Sequence, residues 1–159
     1  MDRYTIKNKA KLVVRMQHQY AAKFSLEVCD FCCWVNERMT NLLWTTTGFD
    51  EYKDVKAFEL AGERIVNLTR IINLREGMTV KDDTLPQRIF EDPVKTGPAA
   101  GQVLKREDFE KMITKYYQLR GWDSEGRPTA EKLKELNMDD VMPNLSWLKP
   151  AEKKVDEND

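Results

Sequence analysis

The stretch from Gly62 to Pro86 constrains the fold of this 159-residue chain more than any other part of it. Its sequence, GERIVNLTRIINLREGMTVKDDTLP, combines an apolar pattern of helical spacing with three arginines and two asparagines. Ile65, Leu68 and Ile72 recur at that spacing and predict a buried stripe. The polar residues beside the stripe are Arg64, Asn67, Arg70, Asn73 and Arg75. Several of these must be partly enclosed, and an enclosed guanidinium needs a carboxylate or a phosphate-bearing ligand as its partner.

Two acids follow this helix and offer partners for its arginines. Asp82 and Asp83 lie in a loop that ends at Pro86, where we expect them to cap backbone amides or to pair with Arg75 or Arg88. Paired buried charges mostly fix geometry, so we interpret the segment as a structural brace. The functional alternative is that it forms a wall of a substrate channel.

Helical spacing recurs along most of the chain and predicts an all-α fold. The apolar pattern of the first helix continues through Val28 and Phe31, so this helix would carry Cys29 to its site. A later helix is expected to stop at Gly121, and Thr129 is the expected N-cap of the last one. The interpretation is a single irregular helical domain over residues 1–150, followed by a disordered tail over residues 151–159.

Charge and composition argue against several classes of partner. With 26 basic and 27 acidic side chains the net charge is -1, which gives no reason to expect a nucleic-acid or membrane partner. No apolar run approaches the roughly 18 residues that indicate a membrane span, and the start of the chain has no signal-peptide core. A cytoplasmic protein is therefore expected.

Three cysteines are crowded into one short segment at Cys29, Cys32 and Cys33. Their odd number does not make a disulfide framework and fits a reducing compartment. In a helix this spacing would put all three sulfurs on one face, which suits a metal and suits small packing residues equally. A four-iron cluster normally takes four thiolates, so a cluster here would need a ligand from outside the chain.

The motifs of a self-contained active site are absent from the sequence. It has no phosphate-binding glycine loop, no four-ligand metal set and no nucleophile with an attendant histidine. His18 is the only histidine, and we expect it to be solvent-facing or hydrogen-bonded. We assign no catalytic residue to this chain.

An ordered series of unusual residues along most of the chain closely resembles the C-terminal domain of the tungsten-containing aldehyde ferredoxin oxidoreductase family. The series comprises Lys9-Ala10-Lys11-Leu12-Val13, Ser25-Leu26, Cys29, GERIVNLTRIINLREG, Lys81-Asp82-Asp83-Thr84-Leu85-Pro86, Gly97-Pro98-Ala99, Tyr116-Tyr117, Leu119-Arg120-Gly121-Trp122-Asp123 and Gly126-Arg127-Pro128-Thr129. No single block carries the resemblance alone. It implies that the expected helical domain is the C-terminal domain of that family.

The resemblance also implies roles for the residues around Cys29. This cysteine matches the family's single cluster ligand from the C-terminal domain, and a cysteine trio in a preceding domain supplies the others. Glu27 and Val28 stand in the segment that contacts one of two pterins, where the family has glycine and leucine. Phe24 stands where the family has an acid. Cys32 and Cys33 have no role in the family pattern, and we interpret them as packing residues.

A complete enzyme of this family would contain a 4Fe-4S cluster and a tungsten or molybdenum bis-pterin. It would oxidise an aldehyde to its carboxylic acid, with ferredoxin as the electron acceptor. The N-terminal cofactor-binding domains would then be partners of this chain, which alone is expected to be inactive and to hold no cofactor. One alternative is the equivalent domain of a benzoyl-coenzyme A reductase-type tungsten subunit. Another is a cofactor-free helical interaction module, which would have a polar, solvated surface around Cys29.

Overall fold

A computed structural model of the chain describes residues 5–29, 31 and 35–148. Cys32, Cys33 and the tail over residues 151–159 lie outside the described residues. The α-helices are α1 (Lys9–Ser25), α2 (Asn36–Thr47), α3 (Val55–Arg75), α4 (Arg88–Glu91), α5 (Arg106–Arg120) and α6 (Ala130–Glu135). Short 3₁₀ helices cover Asp50–Lys53, Val80–Asp82, Asp139–Asn144 and Ser146–Leu148. The predicted all-α fold is confirmed.

Local sequence signals account for several helix ends. The Asp54 side chain accepts a hydrogen bond from the Lys56 amide at 2.9 Å and caps the start of α3. Gly121 ends α5 in the left-handed conformation, with φ of 66°. The Thr129 hydroxyl accepts a hydrogen bond from the Lys132 amide at 3.2 Å and caps α6. The predicted stop at Gly121 and the predicted cap at Thr129 are both confirmed.

Helix α3 is the centre of the packing. It lies along α1, which also contacts α5, while α2 packs on α3 from another side. Helix α1 approaches α3 closely at Gly62, where a Cβ atom would lie 2.7 Å from the His18 carbonyl carbon. Only a residue without a side chain lets the two helices come this near.

Two apolar clusters flank α3, and polar residues lie between them. One cluster contains Ile71, Leu133, Leu136, Met138 and Leu145. The other contains Ala22, Met39 and Phe58. The buried polar side chains of α3 and α5 are Asn67, Arg70 and Arg120. None of the helices in the described residues combines the length and apolar character needed to cross a membrane.

The inward face of α3 differs from the predicted stripe. Leu68 and Ile72 are each 42% exposed, so the prediction that they are buried is wrong. The buried residues of this helix are Phe58, Gly62, Asn67, Arg70 and Ile71. The helix is rotated so that Asn67 and Arg70 reach partners in the interior, and this leaves an apolar strip outside.

Helix α1 is shorter than predicted. It ends at Ser25, and the amides of Leu26 and Glu27 bond to the carbonyls of Lys23 at 3.1 Å and Phe24 at 3.0 Å. Glu27 then has a φ of 56°, in the left-handed region that a continuing helix cannot use. Cys29 therefore lies in the loop after α1, and the prediction that the helix itself carries it is wrong.

Candidate functional site

The loop after α1 is attached to the domain by its apolar side chains. Leu26 and Val28 are half-buried and pack against the cluster of Ala22, Met39 and Phe58. Alternate residues of the loop point away from that cluster, and Glu27 is exposed. The packing of Val28 therefore fixes the backbone on either side of it.

The thiol of Cys29 is free and exposed on this loop. Large apolar side chains close to Cys29 in sequence are exposed as well: Phe31 is 94% exposed, Val35 59% and Phe24 54%. Phe24 stacks on Tyr20 with ring centroids 5.8 Å apart, which adds to the apolar area. An exposed apolar patch of this kind marks a contact surface.

The donor set of the described residues suits a shared metal site. None of these residues forms a group of three or more histidine, cysteine or acidic side chains that could hold a metal ion. A single exposed thiol fits the chemistry of a four-thiolate cluster only as one of its ligands. Of the three predicted cofactor-site residues, the structure places Glu27 and Cys29 outward and Val28 partly inward.

The interior beside α3 is built around an ion pair. Arg70 donates to both carboxylate oxygens of Asp83, at 2.9 and 2.6 Å, and its Nε donates to the Gly126 carbonyl at 2.8 Å. The expected pairing of the loop acids with Arg75 or Arg88 is wrong for Asp83, because the rotation of α3 brings Arg70 to it. The pair is bidentate and mostly buried, so it fixes the position of the loop on the helix.

Two hydroxyl groups donate hydrogen bonds to the acids of this loop. Tyr117 donates its phenolic proton to Asp83, and burial together with this hydrogen bond raises the pKa of Tyr117. Asp82 accepts from the Thr79 amide at 2.7 Å and from the Thr79 hydroxyl at 3.0 Å. The backbone hydrogen bond from Thr79 lowers the pKa of Asp82. The predicted capping role is thus confirmed for Asp82.

Two guanidinium groups lie close to the ring of Trp122. The Arg70 Cζ atom is 5.0 Å from the ring centroid and the Arg120 Cζ atom is 5.8 Å from it. The indole Nε1 donates to the Asn67 side-chain oxygen at 2.8 Å. Cation–π attraction and this hydrogen bond together hold the indole. The asparagine within an apolar helical pattern was the sequence signal for this contact.

Arg120 is fully buried and has neutral acceptors. Its two terminal nitrogens donate to His18 Nε2 and to the Gln17 side-chain oxygen, while its Nε has no partner among the described residues. A guanidinium only donates, so His18 Nε2 must accept and the imidazole proton lies on Nδ1. Burial, together with the Arg120 charge, lowers the pKa of His18 to about 4. The expectation of a hydrogen-bonded histidine is confirmed.

Comparison with known proteins gives consistent results. Residues 1–138 match the family model described as aldehyde ferredoxin oxidoreductase, domains 2 and 3. A tungsten-containing aldehyde ferredoxin oxidoreductase of Pyrococcus horikoshii is 36% identical over 146 residues, which are 89% of this chain and 23% of that protein. Another, from Pyrococcus abyssi, is 39% identical over 114 residues, 63% of this chain and 18% of that protein.

A solved structure shares the fold. The active-site complex of benzoyl coenzyme A reductase with 1,5-dienoyl-CoA aligns with a TM-score of 0.73 and 20% identity. The alignment covers 91% of this chain and 21% of that one. This chain spans less than a quarter of the length of both Pyrococcus relatives, at 23% and 18%. It belongs to the aldehyde ferredoxin oxidoreductase family, as the match of the family model over most of its length shows.

Proposed function

We propose that this chain is the C-terminal part of a tungsten-pterin, iron–sulfur oxidoreductase and that Cys29 supplies one thiolate to its four-iron cluster. The other three ligands come from the part of the enzyme outside this chain. The observation that carries the proposal is the exposed thiol of Cys29 on a loop with exposed apolar neighbours. A site completed by another domain needs an accessible sulfur and an apolar surface for that domain to cover.

The residues beside Cys29 fit a cofactor-docking loop. The packing of Val28 against the domain core steadies the backbone, and the exposed Glu27 presents its carboxylate outward. We place Glu27 and Val28 against a pterin, with contacts from the carboxylate of the first and the backbone of the second. When bound, the tungsten-pterin centre would supply the oxidation of an aldehyde to its acid, with electrons leaving through the cluster to ferredoxin.

A cofactor-free interaction module is supported less well by the surface around Cys29. That hypothesis expects polar, solvated side chains there, whereas Phe31 and Val35 are 94% and 59% exposed. The benzoyl-coenzyme A reductase-type alternative would use the same thiol. Iron content therefore tests the cluster ligand whichever substrate the enzyme uses.

Iron binding in the assembled enzyme tests the proposal. The chain purified alone is expected to be colourless, iron-free and inactive, whereas co-expression with a polypeptide that carries the cysteine trio and pterin motifs should give a brown complex. Cys29→Ser in that complex should lose the visible absorbance and most of the about four irons of the cluster. Cys32→Ser combined with Cys33→Ser is the matched control and should keep both. A brown isolated chain, or a Cys29→Ser complex with its full iron content, would contradict the proposal.

A further inference from the structure

A groove lined by both apolar and polar side chains runs along the outer side of α3. It has a volume of about 550 Å³, and its floor includes Ile71 and Leu145 of the larger apolar cluster. Leu68 and Ile72, which are each 42% exposed, form one wall. These are the apolar residues whose spacing predicts burial, although nothing in the described part of the chain covers them.

The charged side chains that line the groove are both positive. Arg75 and Arg127 line it, and its other lining residues include no acid. Among the described residues, each arginine pairs with one acid close by in sequence, from Arg75 Nε to Glu76 at 3.2 Å and from Arg127 Nη2 to Glu125 at 3.9 Å. Exposed pairs of this kind are weak, so the remaining N–H groups are available to a carboxylate from a partner.

We infer that this groove binds an apolar polypeptide segment that carries carboxylates and belongs to the part of the enzyme outside this chain. The inference rests on the proposed function only in assigning the segment to the same enzyme. Its basis is the uncovered apolar wall, the two arginines, and the relatives' length, of which this chain spans 23% and 18%. From Leu68 to Arg75 the helix rises about 10 Å, enough for two turns of a bound helix.

Peptide binding to the isolated chain tests the groove without any cofactor. The probe is a labelled amphipathic peptide with leucines on one face and glutamates beside them, and a second peptide has lysines in place of the glutamates. The glutamate peptide should shift the NMR signals of the Leu68 and Ile72 methyl groups and of the Trp147 indole, which also lines the groove. The lysine peptide should bind about tenfold more weakly.

Charge reversal provides the matched comparison. Arg75→Glu with Arg127→Glu should weaken the glutamate peptide by about tenfold or more, because attraction becomes repulsion at both positions. Arg64→Glu with Arg88→Glu makes the same change in net charge at exposed positions outside the groove and should leave the affinity within about twofold.

Four results would overturn the inference. These are no binding of the glutamate peptide, methyl shifts that map elsewhere, equal binding of both peptides, and equal weakening by both pairs of substitutions. Sedimentation equilibrium adds a fifth: a dimer of the isolated chain that Leu68→Glu dissociates would show that the occupant is a second copy. None of these results depends on Cys29, so the cluster proposal stands or falls separately.

Discussion

Replacing Glu27 with glycine should stabilise the isolated chain. Glu27 has a φ of 56°, and the left-handed conformation costs a residue with a Cβ atom about 1–2 kcal/mol. Glycine removes that cost but adds about 0.5–1 kcal/mol of conformational entropy to the unfolded state. The Glu27 side chain is exposed, so its removal loses little packing. The expected net gain is about 0.5–1 kcal/mol, or about 1–4 °C in Tm.

Urea and thermal unfolding of a small substitution series would measure this effect. Glu27→Asn should fall between wild type and Glu27→Gly, because asparagine tolerates the left-handed region, and Glu27→Val should destabilise the chain. Glu27→Gln removes the charge but keeps the strain and should change the free energy of unfolding little. Glu76→Gly is the backbone control, because Glu76 is exposed and has a φ of -79°. This variant should lose about 0.5–1 kcal/mol of unfolding free energy.

The ranking of these variants decides the argument. If Glu27→Gly destabilises the chain as much as Glu76→Gly does, the loop is not held in the left-handed conformation. If Glu27→Gln stabilises it as much as Glu27→Gly, charge and not the backbone is the cause. Either result would also weaken the placement of Cys29, which lies two residues further along the same loop.

Three further changes test other parts of the structure. Gly62→Ala should cost about 3 kcal/mol in urea unfolding, because its Cβ would meet the His18 backbone and separate α1 from α3; a loss below about 1 kcal/mol would refute the close approach. Asp83→Ala should cost about 3 kcal/mol of unfolding free energy, because it leaves the Arg70 charge buried without its carboxylate. Asp50→Ala is the control: it removes an exposed pair with Lys53 and should cost under about 0.5 kcal/mol. Similar losses for the two variants would argue against a structural brace. Because the pKa of His18 is about 4 in the folded chain and 6.5 ordinarily, the folded state binds fewer protons, so its stability should be full above about pH 6.5 and fall as the pH drops towards 4. Solvent screens the partly exposed imidazole, so the fall should be about 1–2 kcal/mol. Arg120, Glu63 and Lys132 are the charges that act on His18, and the fall should be measured against His18→Gln, which ought to lack it; equal pH profiles would refute the assignment.

Signals carried by one or two residues could be predicted from the sequence. The stop at Gly121, the cap at Thr129 and the cap formed by Asp82 depend on local backbone geometry, and the structure has all three. The end of α1 was missed because apolar spacing continues through Val28 and Phe31, whereas the break depends on the backbone at Glu27. Spacing alone does not reveal a change in the sign of φ.

Partners that are distant in the chain could not be read from the sequence. Arg70 and Asp83 are 13 residues apart and meet only after α3 has turned its polar side inward. The acceptors of Arg120 are still further away, with His18 at a separation of 102 residues. Periodicity identifies an apolar face but not whether that face meets the chain's own core or another polypeptide. Leu68 and Ile72 show this, since their spacing is that of core residues.

The Trp122 indole couples three other positions, Asn67, Arg70 and Arg120. Loss of Trp122 would remove a cation–π contact from Arg70 and from Arg120 and the donor that the Asn67 side-chain oxygen accepts from. A replacement of Trp122 changes three contacts at once, so related chains that lack the indole should also differ at Asn67, Arg70 or Arg120. Recombination between distant relatives would be expected to fail most often when its crossover separates α3 from the turn after α5.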